Sequence, residues 1–408
     1  MVASNGRRPP IRGMRVLDLA GPEAAYGGKM LAELGADVIK IEPPGGDGLR
    51  WRGPFDGMWP ERERSLSFAY HNASKRSVTL DITSGLGRRL FLELLNGADA
   101  LLESFAPGYM ASLGLGHEDL REIKPDFIYT ALTPFGQTGP HRGFQGTDLT
   151  VQAMGGLSHR VGFPDGPPFR MGGEQAYLMG SAHVALATLI AWHDRAESGE
   201  GQFIDVSMQE AVAMTGQDAM PLWDLRRQNL ERVGFKSMSG WRHVYPVRDG
   251  YIKFMALYVR VGPGLKGVVD WMASHGMAGW LADAEMESLE GRRARLDEIE
   301  EQINAFTRTM TRDEAVREGR QRGFMIMPIN TIDAVVRDEQ LAWRKFFVDV
   351  ALNGHAVRYP GPPVRLSRTP WQPSCRPPRI GEHNEAVYQG ELGLSRGEMR
   401  ALRAAGAT

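Results

Sequence analysis

The segment from Met14 to Glu42 constrains the fold of this chain more than any other. It opens with MRVLDLA, an apolar run closed by a turn. Glu23 to Leu34 follows with helical spacing, Met30, Leu31 and Leu34 falling on one face. Gly35 ends the helix, and ADVIKIE forms a second apolar run. Two strands joined by a helix are parallel neighbours, and the crossover between them is right-handed. The pattern then repeats. Strands are expected at Val78–Ile82, Ala98–Glu103 and Asp126–Leu132, with helices at Gly85–Leu95 and Leu113–Ile123 between them. The expected class is therefore α/β, a doubly wound parallel sheet. Ligands of such sheets sit beyond the carboxyl ends of the strands. That rule points to Ala20–Pro22, the loop after Pro43, Ser104–Ala106 and Thr133–Gly136.

Glu42, at the end of the second strand, occupies the place of the acid that binds a ribose in dinucleotide enzymes. The preceding turn is Leu19-Ala20-Gly21-Pro22-Glu23 and lacks GxGxxG, which argues against a nicotinamide dehydrogenase. Two long loops stand out. Pro43 to Glu63 is rich in Gly, Pro, Trp and Arg; Arg50 and Arg52 there either receive a carboxylate substrate or are surface charges. The stretch from Thr133 begins TPFGQTGPHRG, too broken for one helix or strand. Within it Thr147-Asp148 is read as the cap of a helix over Leu149–Met154, and Asp165 as part of a Pro-Asp-Gly-Pro turn. Glu174 then leads into an apolar helix, Tyr177–Trp192. Lys75 and Arg76 mark a strand entry and are either solvated or a phosphate holder.

The 408 residues exceed one ordinary core, so more than one lobe is expected. From Gly240 to about Asn330 the texture changes to a hairpin around Arg248-Asp249-Gly250 and then charge-rich helix, read as a second, smaller lobe. Thr331–Leu341 reads as a return helix, and Arg379–Ala405 as part of an arm. With 48 basic and 49 acidic side chains there is no electrostatic case for nucleic acid or an anionic membrane. Ala176–Trp192 falls short of the roughly 20 residues of a membrane span and contains His183, so it is read as a buried helix. Cys375 is the one cysteine, which excludes an intrachain disulfide and points to a cytoplasmic setting. The histidines show no HExxH and no metal-ligand spacing.

The order of segments carries a resemblance. GMRVLDLA and LAELGADVIKIEPP are followed by NASKRSVTLDI, LLESFAPGYMASLGLGHEDL, TPFGQTGP, RAESGEGQFIDVSMQEA and PPRIGEHNEAVYQGELGL. Together, from Gly13 to Leu394, they resemble the class III CoA-transferases, a family that includes formyl-CoA and carnitine CoA-transferases and α-methylacyl-CoA racemases. The resemblance implies a Rossmann-like large lobe built from both chain ends (1–224 and 331–408), a smaller α+β lobe at 225–330, and two interlocked chains. Coenzyme A would be a co-substrate, with no tightly bound cofactor. Its contacts would fall by position on Pro22, Glu23, Leu80, Ile82, Thr83, Ser104, Phe105, Ala106 and the turn Gln145–Asp148.

The family's transfer chemistry uses an aspartate that attacks an acyl-CoA thioester, a nucleophilic route through a mixed anhydride. The aspartate position falls on Tyr177 here, and a phenol with a pKa near 10 is a poor substitute for a carboxylate. The racemase histidine position falls on Thr147. Positions where relatives carry cations for CoA phosphates fall on Pro43, Thr83 and Ser112. The resemblance thus implies a subunit whose partner, a catalytic paralogue, supplies the aspartate. The substrates would be an acyl-CoA such as succinyl-CoA and a carboxylic acid. The alternative is a self-sufficient transferase with Glu174 as nucleophile. A racemase-like enzyme and a non-catalytic scaffold stand behind these.

Overall fold

The structure, a computed structural model, describes residues 9–237, 240–256, 263–282, 294–372 and 375–408. Six strands form one parallel sheet: β1 (Arg15–Asp18), β2 (Asp37–Glu42), β3 (Arg76–Thr79), β4 (Ala100–Glu103), β5 (Ile128–Thr133) and β6 (Phe203–Ser207). Their order is β3-β2-β1-β4-β5-β6, and every neighbouring pair is parallel. The order reverses between β1 and β4, which opens a crevice at their carboxyl ends.

Strand alternation explains the two covering layers. Leu17, Ile39, Val78, Leu101 and Tyr129 project to one face, where Leu90, Phe91 and Leu94 of α3 (Gly85–Asn96) and Leu120 of α5 (His117–Ile123) meet them. Val16, Val38, Leu102, Ile128 and Leu132 project to the other. There they pack on Leu31 of α1 (Ala25–Leu34), Val151 of α6 (Asp148–Met154), and Ala176 and Val184 of α7 (Gln175–Ser198). Met208 and Val212 of α8 (Met208–Ala213) complete that layer. Helix α7 runs to Ser198, past the expected Trp192, and is ended by Gly199 at φ 74°.

Two expectations are corrected. The third strand is Arg76–Thr79, not Val78–Ile82. Asp81 folds back to accept the Thr83 N–H at 3.0 Å, and Ser84 caps α3, so Leu80–Thr83 turn out of the sheet at its rim. The large unit is drawn from both chain ends, but its six strands come from the first 207 residues alone. The C-terminal segment supplies cover instead: Asn384 Oδ1 accepts from the Thr79 N–H at 2.9 Å, and the Tyr388 hydroxyl donates to the Thr79 carbonyl at 2.9 Å.

The chain divides into two compact units, one of residues 1–158, 170–228 and 340–408, the other of 159–169 and 229–339. Residues 159–169, read from sequence as part of the large lobe, thus cluster with the second unit. That unit has a three-stranded antiparallel sheet of β7 (Val244–Val247), β8 (Gly250–Phe254) and β9 (Ile326–Pro328). Trp271 on α10 (Gly264–Ala273) sits at its centre with Phe254, Phe306 and Phe324. The return segment is two short helices, Ile332–Val336 and Glu339–Trp343, where one was expected. Among the described residues no helix is long and apolar enough to cross a membrane.

Candidate active site

Two adjoining cavities open at the carboxyl edge of the large unit's sheet. The first is a groove of about 390 Å³. Its walls are Leu19 and Gly21–Glu23 after β1, Ile41 of β2 with Pro43, Asp47 and Gly48 after it, the Leu80–Thr83 turn, and Ser104, Phe105 and Tyr109 after β4. The Phe105 and Tyr109 rings lie 4.8 Å apart, an apolar wall fit for a planar or aliphatic group. The turn after β1 is tied to β4: the Gly21 N–H donates to Ser104 Oγ at 2.8 Å, and Ser104 in turn reaches Glu23 at 3.2 Å. Burial pushes the Glu23 carboxyl above its usual range, against the backbone and Ser104 hydrogen bonds.

Of the positions expected to contact CoA, this groove gathers Pro22, Glu23, Leu80, Ile82, Thr83, Ser104 and Phe105. Ala106 and Gln145 are exposed and do not line it. Among the described residues lining it none is cationic, while Glu23, Asp47 and Asp81 bring three carboxyl groups.

The basic residues that looked available are spent inside the molecule. Lys75 is buried and donates to Asp18 at 2.7 Å, to Asn72 and to the Ala25 carbonyl. Arg76 pairs with Asp37 at 2.6 Å and with Glu391 at 2.5 Å. Lys40 pairs with Asp47 at 2.7 Å and donates to the Ala20 carbonyl, so it fixes the turn after β1 from below. Glu42, fully buried, accepts from Arg50, Ser77 Oγ and the Asp47 N–H. It has no oxygen left for a ribose. Arg50 does grip a carboxylate in two-pronged fashion, but the carboxylate is Glu42.

The second cavity, about 320 Å³, lies over the start of α7. Pro22, Tyr26, Arg52, Gly53, Ser67, His71, Gly173, Glu174, Tyr177, Leu178 and Ser181 line it. Tyr177 is 8% exposed. Burial first, then the nearby Glu23 carboxyl, pushes its hydroxyl above 10, with a backbone hydrogen bond at Asp148 acting the other way. Arg52 Nη2 donates to Glu174 Oε1 across the mouth. Burial lowers the His71 pKa, and its Nδ1 bonds the Ser67 carbonyl at 2.9 Å.

Asp148 does cap a helix, though not its own. Its Oδ1 accepts from the Ala176 N–H of α7 at 2.8 Å and its Oδ2 from Gln152 at 2.7 Å, so the buried carboxylate clamps α6 to α7. Asp165 is exposed within the second unit. His183 bonds the Met179 carbonyl within its own helix at 2.8 Å.

Sequence reasoning passed over Glu103. It is buried as the last residue of β4, accepts from the Phe105 N–H at 2.6 Å, and is pushed up to about 7 by burial, with Asp205 adding to the rise. The visible signal was an acid ending an otherwise apolar central strand, ALLE. Tyr26 was also missed, because only α1's position against α7 turns it toward the cavity.

Residues 11–384 match the model of CoA-transferase family III. The chain belongs to this family. It is 35% identical to the succinyl-CoA:(R)-benzylsuccinate CoA-transferase subunit BbsE of Thauera aromatica, over 91% of this chain and 92% of that one. It is 29% identical to the beta subunit of succinyl-CoA–L-malate CoA-transferase of Chloroflexus aurantiacus, over 97% of both. Among solved structures, a CAIB/BAIF family protein from Brucella suis superposes with a TM-score of 0.85 at 28% identity, covering 94% of this chain and 100% of that one. CoA-transferases of this family use coenzyme A as co-substrate.

Proposed function

We propose that this chain is one subunit of a heteromeric CoA-transferase that moves CoA between an acyl-CoA thioester, such as succinyl-CoA, and a carboxylic acid, with the nucleophilic aspartate supplied by a paralogous partner chain. The observation that carries the reading is Tyr177. It stands where the resemblance places the aspartate, and burial raises its hydroxyl pKa further from that of a carboxylate. Acyl transfer to a phenol would give an aryl ester in place of the anhydride, and would need an ionised oxygen that this setting disfavours. Glu174, the nearest substitute in the chain, precedes α7 at the cavity mouth, where it meets Arg52. The groove, with three carboxyl groups and no cation among the described residues lining it, is a poor host for the CoA phosphates, which favours the partner's groove as the working one.

Subunit standing has two further supports. Both relatives named above are subunits by name. Large apolar side chains also stay exposed on α7, just after α8 and on the following helix, Ala219–Arg226: Leu186, Ile190, Met214, Trp223 and Leu225, the last at 82%. Such surface is what an intimate, interlocked contact between chains would cover.

The test is transfer from succinyl-CoA to a dicarboxylic acid by the purified chain alone and after co-expression with its paralogue. Transfer is expected only from the pair. Full turnover by the lone chain, lost on Glu174→Gln, would replace this reading with a self-sufficient enzyme.

A further inference from the structure

The cavity over Tyr177 has a use that the subunit reading leaves open. Its walls divide by chemistry. Pro22, Tyr26, Tyr177 and Leu178 form apolar and aromatic faces. The hydroxyls are already engaged: Ser67 donates to the Gly53 carbonyl at 2.8 Å and Ser181 to the Glu23 carbonyl at 3.0 Å. Among the described lining residues, Arg52 is the one permanent cation. Its partner Glu174 precedes α7 without capping it, so nothing in the helix claims that carboxylate. The two side chains are 42% and 34% exposed. An ion pair so exposed is weakly held and exchanges readily. Arg52 therefore holds a carboxylate at the mouth of an aromatic cavity by a bond that another carboxylate can replace.

We propose that this cavity is a non-covalent site for a carboxylic acid with an apolar, aryl-sized body, whose carboxylate displaces Glu174 from Arg52. The volume of about 320 Å³ admits a phenyl ring on a short chain. A guanidinium fork matches a carboxylate in plane and charge, which selects an acid over its amide. Among the described residues, Arg52 is the one cation on the walls and Glu174 the one acid, so one carboxylate is matched and a second is not. The inference rests on the subunit reading, because it needs Tyr177 to be a wall and not a nucleophile. The cavity then recognises an acid without converting it.

Titration calorimetry of the full chain with 3-phenylpropanoate and with 3-phenylpropanamide, without acyl-CoA or partner, tests this. The acid is expected to bind and the amide not. Arg52→Gln is expected to weaken acid binding by about tenfold or more, the worth of a charge-assisted bond. Glu174→Gln is expected to tighten it by about threefold, as the resident rival is removed. Equal binding of acid and amide, wild-type affinity in Arg52→Gln, or weaker binding in Glu174→Gln would each overturn the proposal. So would the absence of heat from both the wild type and Glu174→Gln. Because no turnover is read, failure here leaves the partner-supplied aspartate standing. Turnover by the lone chain would remove that aspartate whatever the heats show.

Discussion

Replacing Arg50 by methionine probes the joint on which the candidate site is built. Arg50 is 1% exposed, and its Nε and Nη2 donate to the two oxygens of Glu42 at 2.7 and 2.8 Å. Nη1 reaches Glu63 at 3.0 Å, and the guanidinium lies 3.6 Å from the Phe68 ring centroid. Methionine keeps much of the packing on Phe68 and removes the charge. Glu42, fully buried, keeps only Ser77 Oγ at 2.6 Å and the Asp47 N–H at 2.9 Å. Removing one partner of a buried ion pair costs about 3–5 kcal/mol, because the other charge stays buried without its counter-ion. Glu63 is 41% exposed and adds little. Urea denaturation of the chain should therefore show that loss of stability as a lowered midpoint at unchanged slope. The double variant Glu42→Gln with Arg50→Met removes both charges, and its cost should fall short of the sum of the singles by about 2 kcal/mol. A single-variant loss under about 1 kcal/mol, or strict additivity, would refute the claim that this pair holds the loop. The consequence reaches the site, since Arg52 lies two residues on and relies on that anchor to meet Glu174.

The remaining predictions concern other parts of the same edge. Glu103 has its carboxyl raised from 4.5 to about 7, first by burial. An acid with a raised folded pKa contributes stability that is full below about 4.5 and declines as pH rises through about 7, by about 3 kcal/mol in all. Glu103→Gln should flatten that decline in a pH series of denaturation midpoints; an unchanged slope would assign it to other groups. Gly28→Ala would set a Cβ 2.4 Å from Asp18 Oδ2 and 3.0 Å from Lys75 Nζ, both locked in a buried pair, and should cost about 1–3 kcal/mol by thermal melt. Under the subunit reading, Tyr177→Phe should change kcat of the assembled transferase by less than about threefold; a loss of a thousandfold, the scale of a missing nucleophile, would place chemistry on this residue.

Much of the large unit was legible because strand and helix periods are local properties of the chain. The run from MRVLDLA to ADVIKIE declared a crossover, and the sheet has the strands it implied. The groove positions were legible through the family pattern, since seven of them are held by turns at strand ends. The basic residues were misjudged for a physical reason. Sequence shows a charge but not its partner, and Lys75, Arg50 and Arg76 find theirs in Asp18, Glu42 and Asp37, 57, 8 and 39 positions away in the chain. The edge of the third strand was misplaced because Asp81 bonds its own backbone surroundings, a choice that hydrophobic periodicity does not encode.

The sequence alone determined the parallel α/β class, the lack of any intrachain disulfide and the phenol at position 177. Tertiary structure decided which charges are free. It buried Arg50 against Glu42 and left Arg52 half-exposed on Glu174, although the two arginines are separated by a single tryptophan. The difference is one of desolvation, which depends on what the rest of the chain lays over each side chain.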